Sequence, residues 1–288
     1  MHPAACSFEP LDRLARFAWD WAPALCEPAH ACVDYHRSWS LVRLLELDGA
    51  MPAGQAFFDR ELAPLASRED PRVLISGAAD TGVASLVISA FRARGTVPDI
   101  VFVDQCRTSC WQNSLFMRQL GVNAQVLAMD AARIECAPVD AIVAHSFLHL
   151  LPGPKRREVL AAWARVLRVG GRVLMSTALA DDESDWVRMK DANQVELRRA
   201  SLERAAIEAG FAPAEAAQVA QTAARFWATS PGKSPALTEA NVRHEFRAVG
   251  LDVRSVEREP LGATRGPLAL TTRETSRRQR AEIVAVRS

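Results

Sequence analysis

The sequence predicts an α/β fold: a doubly wound, mostly parallel sheet of seven strands, with a helical N-terminal cap and a helical insertion. Two observations carry this. Between Arg72 and Ala178, short apolar runs alternate with helical patterns, the rhythm of βαβ units. The first run, Val73-Leu74-Ile75, ends in the small-residue loop Ser76–Gly82, and the second, Ile100–Val103, ends in the acid Asp104. That is the strand–loop–helix–strand layout of a nucleotide site.

The elements follow in order. Residues 1–67 read as a helical cap, with Leu11, Leu14, Ala15, Ala18 and Trp19 at helical spacing. A second amphipathic stretch, Ser38–Leu47, stops at Asp48-Gly49 with Pro52 beyond, and a third runs from about Gln55 to Ala66. Residues 68–288 form the sheet domain. Its strand candidates are Val73–Ile75, Ile100–Val103, Ala124–Ala128, Ala141–Ala144 and Arg172–Ser176, with helices over Gly82–Arg94, Arg107–Leu120 and Lys155–Leu167 between them. Such near-continuous apolar strands are expected where both sheet faces are covered. Residues 181–235 break the alternation as a long charged helical insertion, ending in the loop Ser230–Pro235. Thr238–Val249 reads as a helix with an imperfect capping box, Thr238 to Asn241. Leu251–Glu257 and Glu282–Val286 close the sheet.

Composition narrows the function. Of 288 residues, 49% are hydrophobic and 24% charged, with 35 Lys plus Arg against 34 Asp plus Glu. A net charge near +1 supplies no long-range attraction for nucleic acid or anionic lipid. No apolar stretch approaches the ~18 residues of a bilayer span. The start, MHPAACSFEPLDRL, lacks the basic flank and apolar run of a signal peptide. The expectation is a cytoplasmic protein, monomer or homodimer, with neither nucleic acid nor membrane as partner. The six cysteines, Cys6, Cys26, Cys32, Cys106, Cys110 and Cys136, show neither C-x-x-C pairs nor a metal-ligand grouping with histidine. They read as free thiols packed as small hydrophobes, with no metal site.

The loop reads SGAADTG, with Ala78 and Ala79 where a dinucleotide fingerprint wants glycine. Gly77 permits a tight turn and close backbone approach, and the amides opening the next helix suit a carboxylate. Asp104 offers two acceptor oxygens, which suits a diol. In order after the loop come Asp104-Gln105, Met129-Asp130-Ala131, the run Asp140–Ser146 (DAIVAHS) and Leu167–Leu174 (LRVGGRVL). This order resembles the class I S-adenosylmethionine (SAM)-dependent methyltransferases, over residues 70–180 and again over 238–288. Val169 stands where that family usually has proline. The resemblance implies a Rossmann-like fold and SAM as cofactor. It implies that Gly77, Ala78, Ala79 and Asp80 form the cofactor loop, and that Asp104, with Gln105 beside it, grips the ribose. Asp130, with Ala131, would meet the adenine, and His145 and Ser146 would line the cleft. The alternative for the strand-end acids is that they cap helices or turns.

Tyr35, Trp39 and Arg43 are four apart and share one helix face if the helix begins near Val33. Rings there can pack on a purine or sulfonium and the arginine can bind a carboxylate; equally, the rings can be core. The YHRSW pattern, with GAAD and AHSF, resembles a bacterial small-molecule branch of the family that carries a helical N-terminal cap. His145 and His149 are the candidate bases. Trp186, Arg188, Met189, Asn193, Phe226 and Trp227 are candidate substrate contacts from the insertion. The leading function is methyl transfer from SAM to a small-molecule substrate in biosynthesis. A second reading keeps SAM but has its own amine displace methylthioadenosine, closing a ring such as azetidine-2-carboxylate. A third is a non-catalytic SAM-binding protein.

Overall fold

A computed structural model describes residues 9–47, 50–181, 192–229, 237–260 and 279–288. Seven strands form one sheet in the order β3-β2-β1-β4-β5-β7-β6. They are β1 (Arg72–Ser76), β2 (Asp99–Asp104), β3 (Ala124–Ala128), β4 (Val139–His145), β5 (Leu167–Leu179), β6 (Leu251–Pro260) and β7 (Gln279–Arg287). β1 to β5 run parallel, and β7 is antiparallel to both β5 and β6. The order reverses between β1 and β4, where ligands bind in open α/β sheets beyond the strand carboxyl ends.

Side-chain alternation explains the apolar runs. Val73, Ile75, Ile100, Phe102, Ala141 and Val143 join one core with α3 (Ala50–Leu62), α4 (Gly82–Arg92) and α5 (Arg107–Gln119). Leu74, Val101, Val103, Ile142 and Ala144 join the other with α6 (Gly153–Val166) and α9 (Glu239–Arg247). Successive residues of a strand point to opposite faces, so a strand covered on both sides must be apolar at every position. The Gly170-Gly171 turn expected before the fifth strand is a break within it: pairing steps from Val139–Leu167 to Ala141–Arg172, and Gly170 has φ of 75°. The capping box is present, with Thr238 Oγ1 accepting from the Asn241 amide at 3.2 Å and Asn241 Oδ1 accepting from the Thr238 amide at 3.1 Å.

The remaining helices make a second layer. α1 (Leu11–Leu25), α2 (Val33–Leu44), α7 (Ala192–Glu208) and α8 (Pro213–Thr229) share a small core that includes Ala15, Leu41, Leu202 and Val219. Arg225 of α8 forks onto Asp34 of α2 at 2.9 Å through each of two nitrogens. α3 packs into the sheet core through Phe57, Phe58 and Leu62, where Leu14 of α1 joins it. No described helix is long and apolar enough to cross a membrane. The loop Ser230–Pro235 and the candidate contacts Trp186, Arg188 and Met189 lie outside the described residues.

One buried ion pair ties α6 to α9. Arg156 donates to both Glu245 oxygens, at 2.7 and 2.8 Å, and to Leu151 O at 3.0 Å. Each charged side chain is 8% exposed, so removing one leaves the other unpaired out of water. Glu245→Ala is expected to destabilise the fold by about 3–5 kcal/mol in urea unfolding, and paired replacement of both residues by apolar ones of similar size by much less.

Candidate active site

The end of β1 sets the geometry. Gly77 has φ of 68°, a backbone region that glycine enters without strain. Its amide donates to Val103 O at 2.9 Å, holding the loop beside the end of β2. A Cβ at Gly77 would overlap the Phe147 ring, so that ring lies directly on the loop backbone. Ser146, before Phe147, has φ of 50° and its amide donates to Ser176 O at 2.7 Å.

The next three loop carbonyls are each held by a side chain from a different turn of helix. Ser109 Oγ donates to Ala78 O, His36 Nδ1 lies 3.2 Å from Ala79 O, and Asn113 Nδ2 donates to Asp80 O at 3.1 Å. The Asp80 carboxylate accepts from the Gly82 amide at 3.0 Å, from Ser40 Oγ at 3.4 Å and from Arg43 at 2.7 Å. Arg43 also forks onto Glu9 at 3.0 and 2.9 Å, and Thr81 Oγ1 donates to the same carboxylate. Arg43, Glu9 and Asp80 are only 7%, 4% and 5% exposed, so solvent screens their attraction weakly.

The face of α2 that meets the loop is therefore His36, Ser40 and Arg43. The Tyr35–Trp39–Arg43 stripe divides: Arg43 reaches the loop, while the Tyr35 ring lies 5.6 Å from that of Trp39 and 4.7 Å from that of Phe226 on α8. Trp227 packs against the helical layer's core, with Arg198 over its ring at 5.8 Å. Asn193 sits in the first turn of α7.

Both strand-end acids cap turns. Asp104, ending β2, accepts from the Cys106 amide at 2.7 Å. Burial pushes its pKa up to about 6, against the opposing pull of that amide and of His36. Gln105 beside it is exposed. Asp130 accepts from the Ala132 amide at 3.0 Å and pairs with Lys155. Burial raises the Asp130 carboxyl, but Lys155 and the amide outweigh it and hold it below the usual range. Ala131 is buried beneath the turn.

His145 ends β4. Its Nδ1 is shut off from solvent without a hydrogen-bond partner among the described residues. Burial, then the charges of Arg280 and Arg43, lower its pKa to about 4, so the ring is neutral at physiological pH and a weak base. His149 Nδ1 lies 3.0 Å from Thr177 Oγ1.

The fold also assembles a grouping that sequence spacing did not display. Cys26 follows the last turn of α1, Cys32 caps the N-terminus of α2, and Cys106 caps that of α5. Their Sγ atoms lie within 4.8 Å of one another. Two of these cysteines come from one loop and the third from about seventy residues on, so only the packing of α1 and α2 on α5 unites them. The one local signal was Cys32 and His36, four apart on one helix. Glu9 was unmarked, because nothing in its neighbourhood sets it apart, and Phe147 stood only as the last residue of the AHSF run, with no contact assigned to it. A cavity of about 550 Å³ lined by Pro10, Phe17, Leu115 and Arg118 among others has none of these residues in its lining.

A family profile for a methyltransferase domain matches residues 81–175. Over those residues the chain carries a methyltransferase domain. Solved structures agree in fold. A Galdieria sulphuraria protein assigned as a sarcosine dimethylglycine methyltransferase is 13% identical, with 82% of this chain and 86% of that chain covered and a TM-score of 0.53. For a geranyl diphosphate methyltransferase in complex with SAM the values are 16%, 92%, 94% and 0.52. For the [4+2]-cyclase SpnF they are 11%, 82%, 81% and 0.52. At such identities the likeness is one of fold. No curated protein matches the chain in sequence.

The Gly77 contact makes a sharp expectation. Gly77→Ala is expected to lose at least about 1–3 kcal/mol from backbone strain and ring clash together, measured by urea unfolding. Adding Phe147→Ala should recover the clash component and leave the strain.

Proposed function

We propose that this chain transfers the methyl group of SAM to a small-molecule acceptor, as a cytoplasmic biosynthetic enzyme acting as monomer or homodimer. The observation that carries this is the juxtaposition at the sheet's reversal point: Gly77, at positive φ, is hydrogen-bonded to Val103 beside the Asp104 carboxylate. The near-zero net charge supports a small acceptor over nucleic acid.

The residues fit the cofactor's chemistry. Asp104 presents acceptors for a diol, Gly77 to Asp80 form the cradle, and Asp130 with Ala131 edges the adenine side. Gln105 and Ser146 flank it, and Tyr35 and Trp39 supply rings. Arg43 is the group for the donor's carboxylate, and Glu9 now fills that role with its own carboxylate. The sulfonium supplies an already activated methyl group when bound. The protein's work is then to align acceptor and donor and exclude water. His145, neutral and with a pKa near 4, fits a hydrogen-bonding part better than proton abstraction; His149, held by Thr177, is the candidate to receive a proton.

Mass spectrometry of the nucleoside product tests the reaction. The expected result is S-adenosylhomocysteine, formed only with acceptor. Methylthioadenosine from SAM alone would identify the ring-closing reaction instead, and a SAM complex without turnover would identify a binding protein.

Titration calorimetry tests the site. Asp104→Ala should weaken SAM binding by about 1–3 kcal/mol, or roughly 5- to 150-fold. Wild-type affinity should fall as pH drops below about 6, where Asp104 takes up its proton, and that dependence should vanish in the variant. Glu9→Gln should strengthen SAM binding several-fold, because a neutral amide competes poorly with a carboxylate for Arg43.

A further inference from the structure

The grouping of Cys26, Cys32 and Cys106 stands outside the methyl-transfer reading, and four observations bear on it. The first is distance. Cys26 Sγ and Cys32 Sγ lie 3.5 and 3.8 Å from Cys106 Sγ. Zinc–sulfur bonds of about 2.3 Å in tetrahedral array place sulfurs about 3.8 Å apart, so two of the three sulfur pairs already stand near the edge length of a metal-thiolate tetrahedron and the third lies within 4.8 Å. A disulfide requires about 2.0 Å, and these cysteines are free.

The second is charge. Cys32 and Cys106 cap the N-termini of α2 and α5, where the positive helix ends favour thiolates. Cys26 Sγ also lies 3.2 Å from Thr108 Oγ1, a hydroxyl able to support a metal-bound sulfur.

The third is His36. It lies one helical turn after Cys32, its amide donating to Cys32 O at 3.0 Å, and its ring interacts with Cys106. Nδ1 is 3.2 Å from Ala79 O, a contact that requires the Nδ1–H tautomer and leaves the Nε2 lone pair free to bind. Metal-bound histidines are oriented by just such a hydrogen bond from the other ring nitrogen to a carbonyl. The fourth is access: Cys26 and Cys106 are buried, whereas Cys32 is partly exposed, which provides an entry path.

We propose that Cys26, Cys32 and Cys106 bind one zinc ion, with His36 as fourth ligand, as a structural clamp joining α1 and α2 to the start of α5. Soft thiolate donors with an imidazole select zinc. Each thiol loses its proton to solvent as it binds, with no change of oxidation state. The ligand atoms that already lie within 4.8 Å of one another are the three thiols alone, so His36, which interacts with Cys106, has to move in to complete the tetrahedron. The clamp holds α2 over the loop through Ala79.

The test uses the full chain purified under a non-thiol reductant. Mass-spectrometric elemental analysis should find about one zinc per chain, and cobalt(II) should give thiolate charge-transfer and tetrahedral visible bands. Cys26→Ser, Cys32→Ser and Cys106→Ser should each lower metal affinity at least about tenfold, while Cys136→Ser, outside the group, retains it. A chelator should lower the melting temperature of the wild type and not of Cys26→Ser. His36→Gln should weaken binding and shift the cobalt bands; unchanged bands would overturn the fourth-ligand assignment. Less than about a tenth of a metal per chain, with no cobalt bands at stoichiometric cobalt, would overturn the site altogether. Either result leaves the methyl-transfer reading where product analysis puts it.

Discussion

Arg43 is the interaction on which the site's architecture depends. Its guanidinium, nearly excluded from water, lies between the carboxylates of Asp80 and Glu9. A cation cannot be left alone in such a place, because desolvation costs several kcal/mol unless charge and hydrogen bonds offset it. Asp80 is therefore drawn to α2, and its Oδ1 receives the first amide of α4. Through one residue the N-terminal helices, the loop and the helix that follows it share a single electrostatic solution. Ser109, His36 and Asn113 complete the arrangement by fixing the three neighbouring carbonyls.

A loop so fully held is preorganised, but it is also closed. Phe147 rests on the Gly77 backbone and Glu9 satisfies Arg43 and Thr81. The substitution of alanine at positions 78 and 79 fits this picture. Ala78 is buried against α5, so its small side chain is packed and its carbonyl is engaged. Loop glycines would have kept more freedom here and less packing.

The sheet was legible in the sequence because its physics is local. Runs such as Val73–Ile75 and Ala141–Ala144 are apolar at every position since helices cover both faces. The capping box at Thr238 was legible for the same reason, all its atoms lying within four residues. Asp104 and Asp130 stand at their expected strand ends. Their roles as turn caps were visible as an alternative, because an acid two residues before a free amide makes that bond wherever it occurs. Tyr35 and Trp39 were placed on a helix correctly, but their partner Phe226 lies far along the chain, and no helical spacing names a partner.

By itself, then, the sequence determined the alternation of strands and helices, the loop at Gly77 and the acids that follow β2 and β3. Those features rest on side-chain periodicity and on short-range hydrogen bonding. Only the tertiary structure decided that Arg43 meets Asp80 and Glu9, that His145 is buried into neutrality, and that three cysteines converge beside His36. Each of those depends on groups brought together across tens of residues, and desolvation and charge pairing act through the final positions of atoms rather than through their order in the chain.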